Sequence, residues 1–180
     1  MTKYAKIMAT FGVLAGLGVA SLPLATFAAN TSETTVKVTV QEGISIANDN
    51  STANAGSKAP GETGSATSNL TAATNNAAGL KITVKDKDND TSLRDASITG
   101  STAGVDFIPT GTSGAGTWSL KGGDLVAETA MVKDSETALV VKNTSGPSTE
   151  AVAMTYRVVP GAAQRQGTYE DVIVYTVTKN

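Results

Sequence analysis

The apolar residues of this chain fall into two regimes. From Ile7 to Phe27 the sequence IMATFGVLAGLGVASLPLATF is almost wholly apolar or small, and Lys3 and Lys6 precede it. Beyond Asn30 no such run recurs. Apolar residues there come in short stretches, separated by Gly, Asn, Asp, Ser and Pro. The first regime is the basic start, apolar core and small-residue exit of a secretory signal. Thr26 and Ala28 supply the small residues before the cut, which places cleavage after Ala28; a cut after Ala29 would put Phe27 where a small residue is wanted. A retained membrane anchor is the competing reading of so long a run. Gly12, Gly16, Gly18 and Pro23 weaken such a helix, and the cleavage site argues against it.

In the second regime Val36, Val38 and Val40 alternate with Lys37 and Thr39, the period-2 signature of a half-buried strand over Thr34–Ile46, with Gly43 as a bend. Residues 47–69 hold no large apolar side chain and are rich in Ser, Thr, Asn, Gly and Ala, so they are expected to form a long mobile loop. Short strands are expected over Gly79–Lys85, Ala96–Thr99, Gly104–Ile108, Gly116–Lys121, Ala138–Lys142, Ala151–Val159 and Tyr169–Thr178. Turn signals such as DKDND, TSGAG, NTSGPS and PGAAQ separate them. A short helix is the reading for Asp124–Lys133. The consecutive apolar residues Val172, Ile173, Val174 and Tyr175 predict a central closing strand covered on both faces, with the N-terminal strand as one neighbour. The chain therefore reads as all-β. Residues 1–28 are the cleaved signal helix, and residues 29–180 form a single antiparallel β-sandwich domain.

Composition narrows the chemistry. Aromatic residues make up only 4 %, and Gly, Ala, Ser, Thr and Asn dominate, which suits thin β-layers and not a helical bundle. There is no Cys and no His. Disulfides, thiol nucleophiles and Cys-ligated metals are excluded, and the commonest general base and metal ligand is missing. Signal cleavage removes two of the 14 basic residues and none of the 16 acidic ones, leaving 12 − 16 = −4. With no basic cluster, nucleic acid and anionic membrane are poor partners, and no membrane attachment is expected after cleavage. The carboxylates Glu128, Asp134, Glu136, Glu150, Glu170 and Asp171 sit in turn-like or exposed surroundings, and no G-x-S-x-G elbow occurs. The chain is expected to be no enzyme and to need no cofactor.

Four local patterns invite functional readings. Asp86, Asp88 and Asp90 alternate as at the start of a calcium loop, but Thr91 and Ser97 stand where Gly and a closing Glu belong, and Lys85 and Lys87 interleave. A solvated hairpin tip is the preferred reading, so no metal site is expected. Trp118, the one Trp, is a candidate stacking platform for a sugar or peptide, with a core residue of a short strand as the preferred reading. Tyr169 and Tyr175 are an even number apart and would share a strand face, a candidate ligand-binding stripe with Tyr156 nearby, against packing at the core rim. Lys37, Lys81 and Lys142 are candidate amines for a Lys–Asn crosslink, with surface exposure as the plainer reading.

Several segments resemble exported surface domains of the WxL type from Gram-positive and related bacteria. Thr74-Asn75-Asn76-Ala77-Ala78-Gly79-Leu80 followed by KITV resembles their TNN-x-x-G strand opening, and Trp118-Ser119-Leu120 matches the tripeptide. Gly167-Thr168-Tyr169-Glu170-Asp171 followed by VIVYTVT resembles their closing strand. A second W-x-L is missing: Tyr175 and Val177 stand at the corresponding place. The resemblance implies a secreted β-sandwich held non-covalently to the cell wall or to surface partners. No sortase-type tail follows the last strand, which agrees with non-covalent retention. The leading expectation is thus a secreted, structural or adhesive cell-surface protein whose partner is a wall glycan or a surface protein. The alternatives are a glycan-binding wall module and a homo-oligomeric, strand-exchanging fibre subunit.

Overall fold

The structure, a computed structural model, describes residues 32–180. The expected signal segment lies outside the described residues. The chain divides into two units, Met1–Thr39 and Val40–Asn180. Residues 32–39 of the first form no strand. All the described strands belong to the second unit.

In chain order they are β1 (Ile44–Asn48), β2 (Gly64–Thr74), β3 (Leu80–Asp86), β4 (Leu93–Arg94), β5 (Phe107–Ile108), β6 (Thr117–Gly122), β7 (Leu125–Thr129), β8 (Leu139–Asn143), β9 (Ser148–Val159) and β10 (Ile173–Lys179). Two main sheets, ordered β1-β2-β9-β6-β7 and β10-β3-β8, are joined by a small β4-β5 ribbon. Every strand pairing is antiparallel. The domain is the expected all-β antiparallel sandwich.

The core follows from alternation. On β3 Leu80, Ile82 and Val84 are buried while Lys81, Thr83 and Lys85 face outward. Leu70 and Ala72 of β2, Trp118 and Leu120 of β6, and Val152 and Met154 of β9 meet these β3 residues and Val141 of β8, with Ile108 and Met131 added from connecting segments.

Four expectations are corrected. Of the expected loop 47–69, Ala47 and Asn48 close β1, and residues 64–69 are not loop either. The latter open the eleven-residue β2, which pairs along its whole length with β9. Its inward positions Gly64, Ala66, Ser68, Leu70, Ala72 and Thr74 are buried although only Leu70 is large. Small side chains on β2 leave room for large ones from the facing sheet, so the strand needs little apolar volume of its own. Second, Asp124–Lys133 holds β7 and not a helix. Gly122 and Gly123 both take positive φ (148° and 57°) and turn β6 back on itself, so hairpin pairing decides a segment whose composition is neutral. Third, Ala96–Thr99 is a turn in which the Asp95 side chain accepts hydrogen bonds from the Ser97 N–H and hydroxyl; the strand lies just before it, in β4. Fourth, the closing strand is not central. β10 ends its sheet and pairs with β3 alone. The N-terminal strand begins only at Ile44 and pairs with β2. Val36, Val38 and Val40 lie outside any strand and are 91, 83 and 77 % exposed.

The connection Asn75–Gly79 shows how closely the backbone is packed. Gly79 has φ 92°, and a Cβ there would overlap the carbonyl of Thr144. Gly56 also has positive φ, 72°, but a Cβ there meets nothing. Gly56→Ala should therefore cost only the conformational strain, about 1–2 kcal/mol. Gly79→Ala must also displace backbone and should cost about 3 kcal/mol or more in urea unfolding. Equal effects would contradict the close approach at Gly79.

Candidate functional site

The margin formed by β10 is an open edge of the smaller sheet among the described residues. Its register with β3 runs without a shift from Ile173↔Asp86 to Lys179↔Leu80. The Lys87 N–H donates to the Val172 carbonyl and the Asn180 N–H to the Gly79 carbonyl, so the even-numbered residues bond to β3. By antiparallel alternation Ile173, Tyr175, Val177 and Lys179 point their N–H and C=O groups away from β3, where the sheet has no further strand. The side chains of Ile173, Tyr175 and Val177 lean on the core but stay half-buried. Val172 and Val174, on the outer face, are exposed. Facing this margin, Ile46 of β1 is half-buried and Ile44 exposed.

One polar chain ties β10 to the larger sheet. The Tyr175 hydroxyl lies 2.8 Å from that of Tyr156 on β9, which lies 2.9 Å from Oγ of the buried Ser68 on β2. Burial, and then the neighbouring Tyr156, raise the Tyr175 phenol above its usual range, so it stays a neutral hydrogen-bonding group.

A second pair of groups sits where β10 begins. Asp86 continues the inward series Leu80, Ile82, Val84 and is fully buried. It lies beside Asp171; Oδ1 of Asp86 accepts from the Asp88 N–H and Oδ1 of Asp171 from the Val172 N–H, while Oδ2 of each carboxyl is buried without a partner. Burial and the adjacent Asp86 carboxyl push the Asp171 carboxyl up to about 8. Burial also raises Asp86. Two carboxyls at close range cannot both ionise cheaply, so the pair favours a protonated Asp171. The expected solvated tip is thus corrected at Asp86, which β3 carries into the core as its last residue; nothing in the local sequence marked Asp171 as its partner.

The residues singled out from the sequence do not converge. Trp118 is 4 % exposed, and its indole N–H donates to the Thr91 carbonyl at 2.9 Å, so its ring lies in the core and offers no surface platform. Tyr169 precedes β10 and donates to the Arg165 carbonyl at 2.8 Å, while Tyr175 turns inward to Tyr156; the two form no common stripe. The DKDND segment is a series of side-chain-capped turns. Asp86 accepts from the Asp88 N–H, Asp88 from that of Asp90, and Asp90 from that of Ser92. Asp90 also pairs with Arg94, and Lys85 with Asp134. Among the described residues no group of three or more carboxylates is disposed to hold a metal ion. Lys142 is shared between Asp124 and Glu150, each at 3.8 Å. Lys81 lies opposite Asn143, whose exposed side chain accepts instead from Asn180.

No protein-family model matches the chain, and no curated protein is significantly similar to it.

The raised Asp171 carboxyl makes stability depend on pH in a definite direction. Asp171 has a raised folded-state pKa, so the pair's contribution is complete below the ordinary carboxyl range, near 4. It is lost as pH rises from there through about 8. The thermal midpoint should fall across that window. Asp171→Asn, which removes the titrating proton, should flatten the fall. An unchanged slope in the variant would show that Asp171 is not the group responsible.

Proposed function

We propose that this is an exported, non-enzymatic structural or adhesive protein of the cell surface, held by non-covalent contacts, in which the sandwich is a scaffold and the β10 margin is the contact surface. The observation that supports this reading most is that margin: unsatisfied backbone groups beside Ile173, Tyr175 and Val177, with exposed Val172 and Val174. The polar side chains that invited other chemistry are engaged elsewhere, as the Asp86–Asp90 turns and the Lys142 ion pairs show. The resemblance to WxL-type domains agrees with surface placement. In this fold Trp118 and Leu120 both face inward, so the tripeptide acts as core packing. That burial also leaves the glycan-binding alternative without its best aromatic.

Expression of the full chain in an exporting bacterium, followed by fractionation and N-terminal sequencing, tests the reading. The surface-bound protein should begin at Ala29 and be released by chaotrope without wall digestion. A chain that still begins at Met1 in the cytoplasm, or one freed only by a wall hydrolase, would contradict it.

A further inference from the structure

Resting on the surface-scaffold reading, we infer that the partner of the β10 margin is a second copy of this chain: residues 34–40 of one molecule add to the free edge of β10 in another as an antiparallel strand, with Val38 opposite Tyr175.

The donor is written in the sequence. In Thr34–Val40 every residue except Lys37 is β-branched, the composition most suited to a pleated strand. Val36, Val38 and Val40 fall on one side and Lys37 and Thr39 on the other. Such a pattern specifies a strand with one buried face, yet among the described residues this stretch has no strand partner and all three valines are exposed. An unpaired apolar strand is an aggregation hazard unless it has a definite destination.

The acceptor matches it. β10 has seven residues, the length of Thr34–Val40. Its outward amides are those of Ile173, Tyr175, Val177 and Lys179, and its inward side chains are incompletely covered. An added strand would lay its valines beside Ile173, Tyr175 and Val177 and across from Ile44 and Ile46. The other margins fit less well. The β6–β7 and β3–β8 ladders are broken by register shifts, and β1 has only five residues.

Direction favours a second molecule. Asn75 donates to the Gln41 carbonyl and accepts from the Gly43 N–H, and Glu42 pairs with Lys179. The segment thus departs from the Lys179 end of β10. Folding back along its own β10, it would run parallel to that strand. The antiparallel pairing used by every strand of this domain needs a donor from another copy. Because each molecule then donates at one place and accepts at another, the contact is heterologous and propagates head to tail.

The register makes a sharp test. With Val38 opposite Tyr175, Lys37 faces Thr176 in a non-hydrogen-bonded pair, whose Cα atoms lie about 4.5 Å apart, within disulfide reach. Both residues are exposed and the chain has no Cys. Full-length Lys37→Cys and Thr176→Cys proteins, mixed under mild oxidation, should form mainly the mixed disulfide. The doubly substituted chain should give a ladder of linked multimers. Adding Val38→Asp should cut cross-linking by about tenfold or more, since it would bury an unpaired carboxylate. It should leave the melting temperature of the dilute protein unchanged, because Val38 is exposed there. A mixed disulfide no more abundant than that of Lys37→Cys with Ser65→Cys would overturn the inference. So would a purely intramolecular bond in the double variant, or unfolding by Val38→Asp. Surface location without cross-linking would sink this proposal and leave the surface-scaffold reading standing; cross-linking of a chain that is never exported would do the reverse.

Discussion

The antiparallel ladder between β2 and β9 is the constraint on which the rest of this domain depends. It runs from Gly64↔Val158 to Thr74↔Ser148 without a break and sets the plane of the five-stranded sheet. Its inner surface is deliberately uneven: small residues on β2 lie beside Val152, Met154 and Tyr156 on β9. The hollow over β2 is filled from the opposite sheet by Leu80, Ile82, Val84 and Tyr175. Ser68 then supplies the one hydrogen bond that lets two tyrosine hydroxyls sit between the layers. A buried hydroxyl without a partner costs about 1–3 kcal/mol, so the triad fixes how β10 is placed as well as tolerating its polarity.

Five strands face three, and the consequences gather at β10. The strand is anchored by β3 on one side and by the Tyr175 hydroxyl below. At its start the buried Asp86 lies beside Asp171, whose raised pKa makes this end of the strand the part that weakens as pH rises. On its far side no described strand is hydrogen-bonded to it, although β1 of the other sheet lies close by. Proteins usually blunt such an edge with charge, proline or a bulge. Here only Lys179 is charged, and the register is regular. A margin kept regular and apolar in this way has the form of a contact surface.

Much of the fold was legible where period 2 coincided with large apolar side chains: β3, β6, β8 and β9 appear close to their expected bounds. Sequence failed where the burial of a strand is provided by its neighbours. Gly64–Asn69 has no large side chain to announce it, and only the facing β3 and β10 residues make it core. Leu125–Thr129 has a composition neutral between helix and strand, and the Gly122–Gly123 turn decided it. The apolar quartet Val172–Tyr175 was read as doubly covered, whereas Val172 and Val174 are apolar and exposed. The same holds for Val36–Val40, whose period-2 pattern was read as a strand but which lies outside any strand and is exposed. Of the candidate site, Asp86 was read as part of a solvated hairpin tip, and only the extension of β3 by one residue past Lys85 puts it in the core. Asp171 was not legible as its neighbour, because the two are 85 positions apart (171 − 86) and joined only by the β3–β10 register.

The account stands on β10 being paired on one side only, and residue-resolved amide hydrogen exchange in dilute solution tests this most directly. The N–H groups of Val174 and Thr176, bonded to β3, should exchange slowly, while those of Ile173, Tyr175 and Val177 should exchange fast, giving an alternation along a single strand. Uniform protection from Ile173 to Val177 in the monomer would mean that the far edge is already occupied within one molecule, and the open margin would not exist.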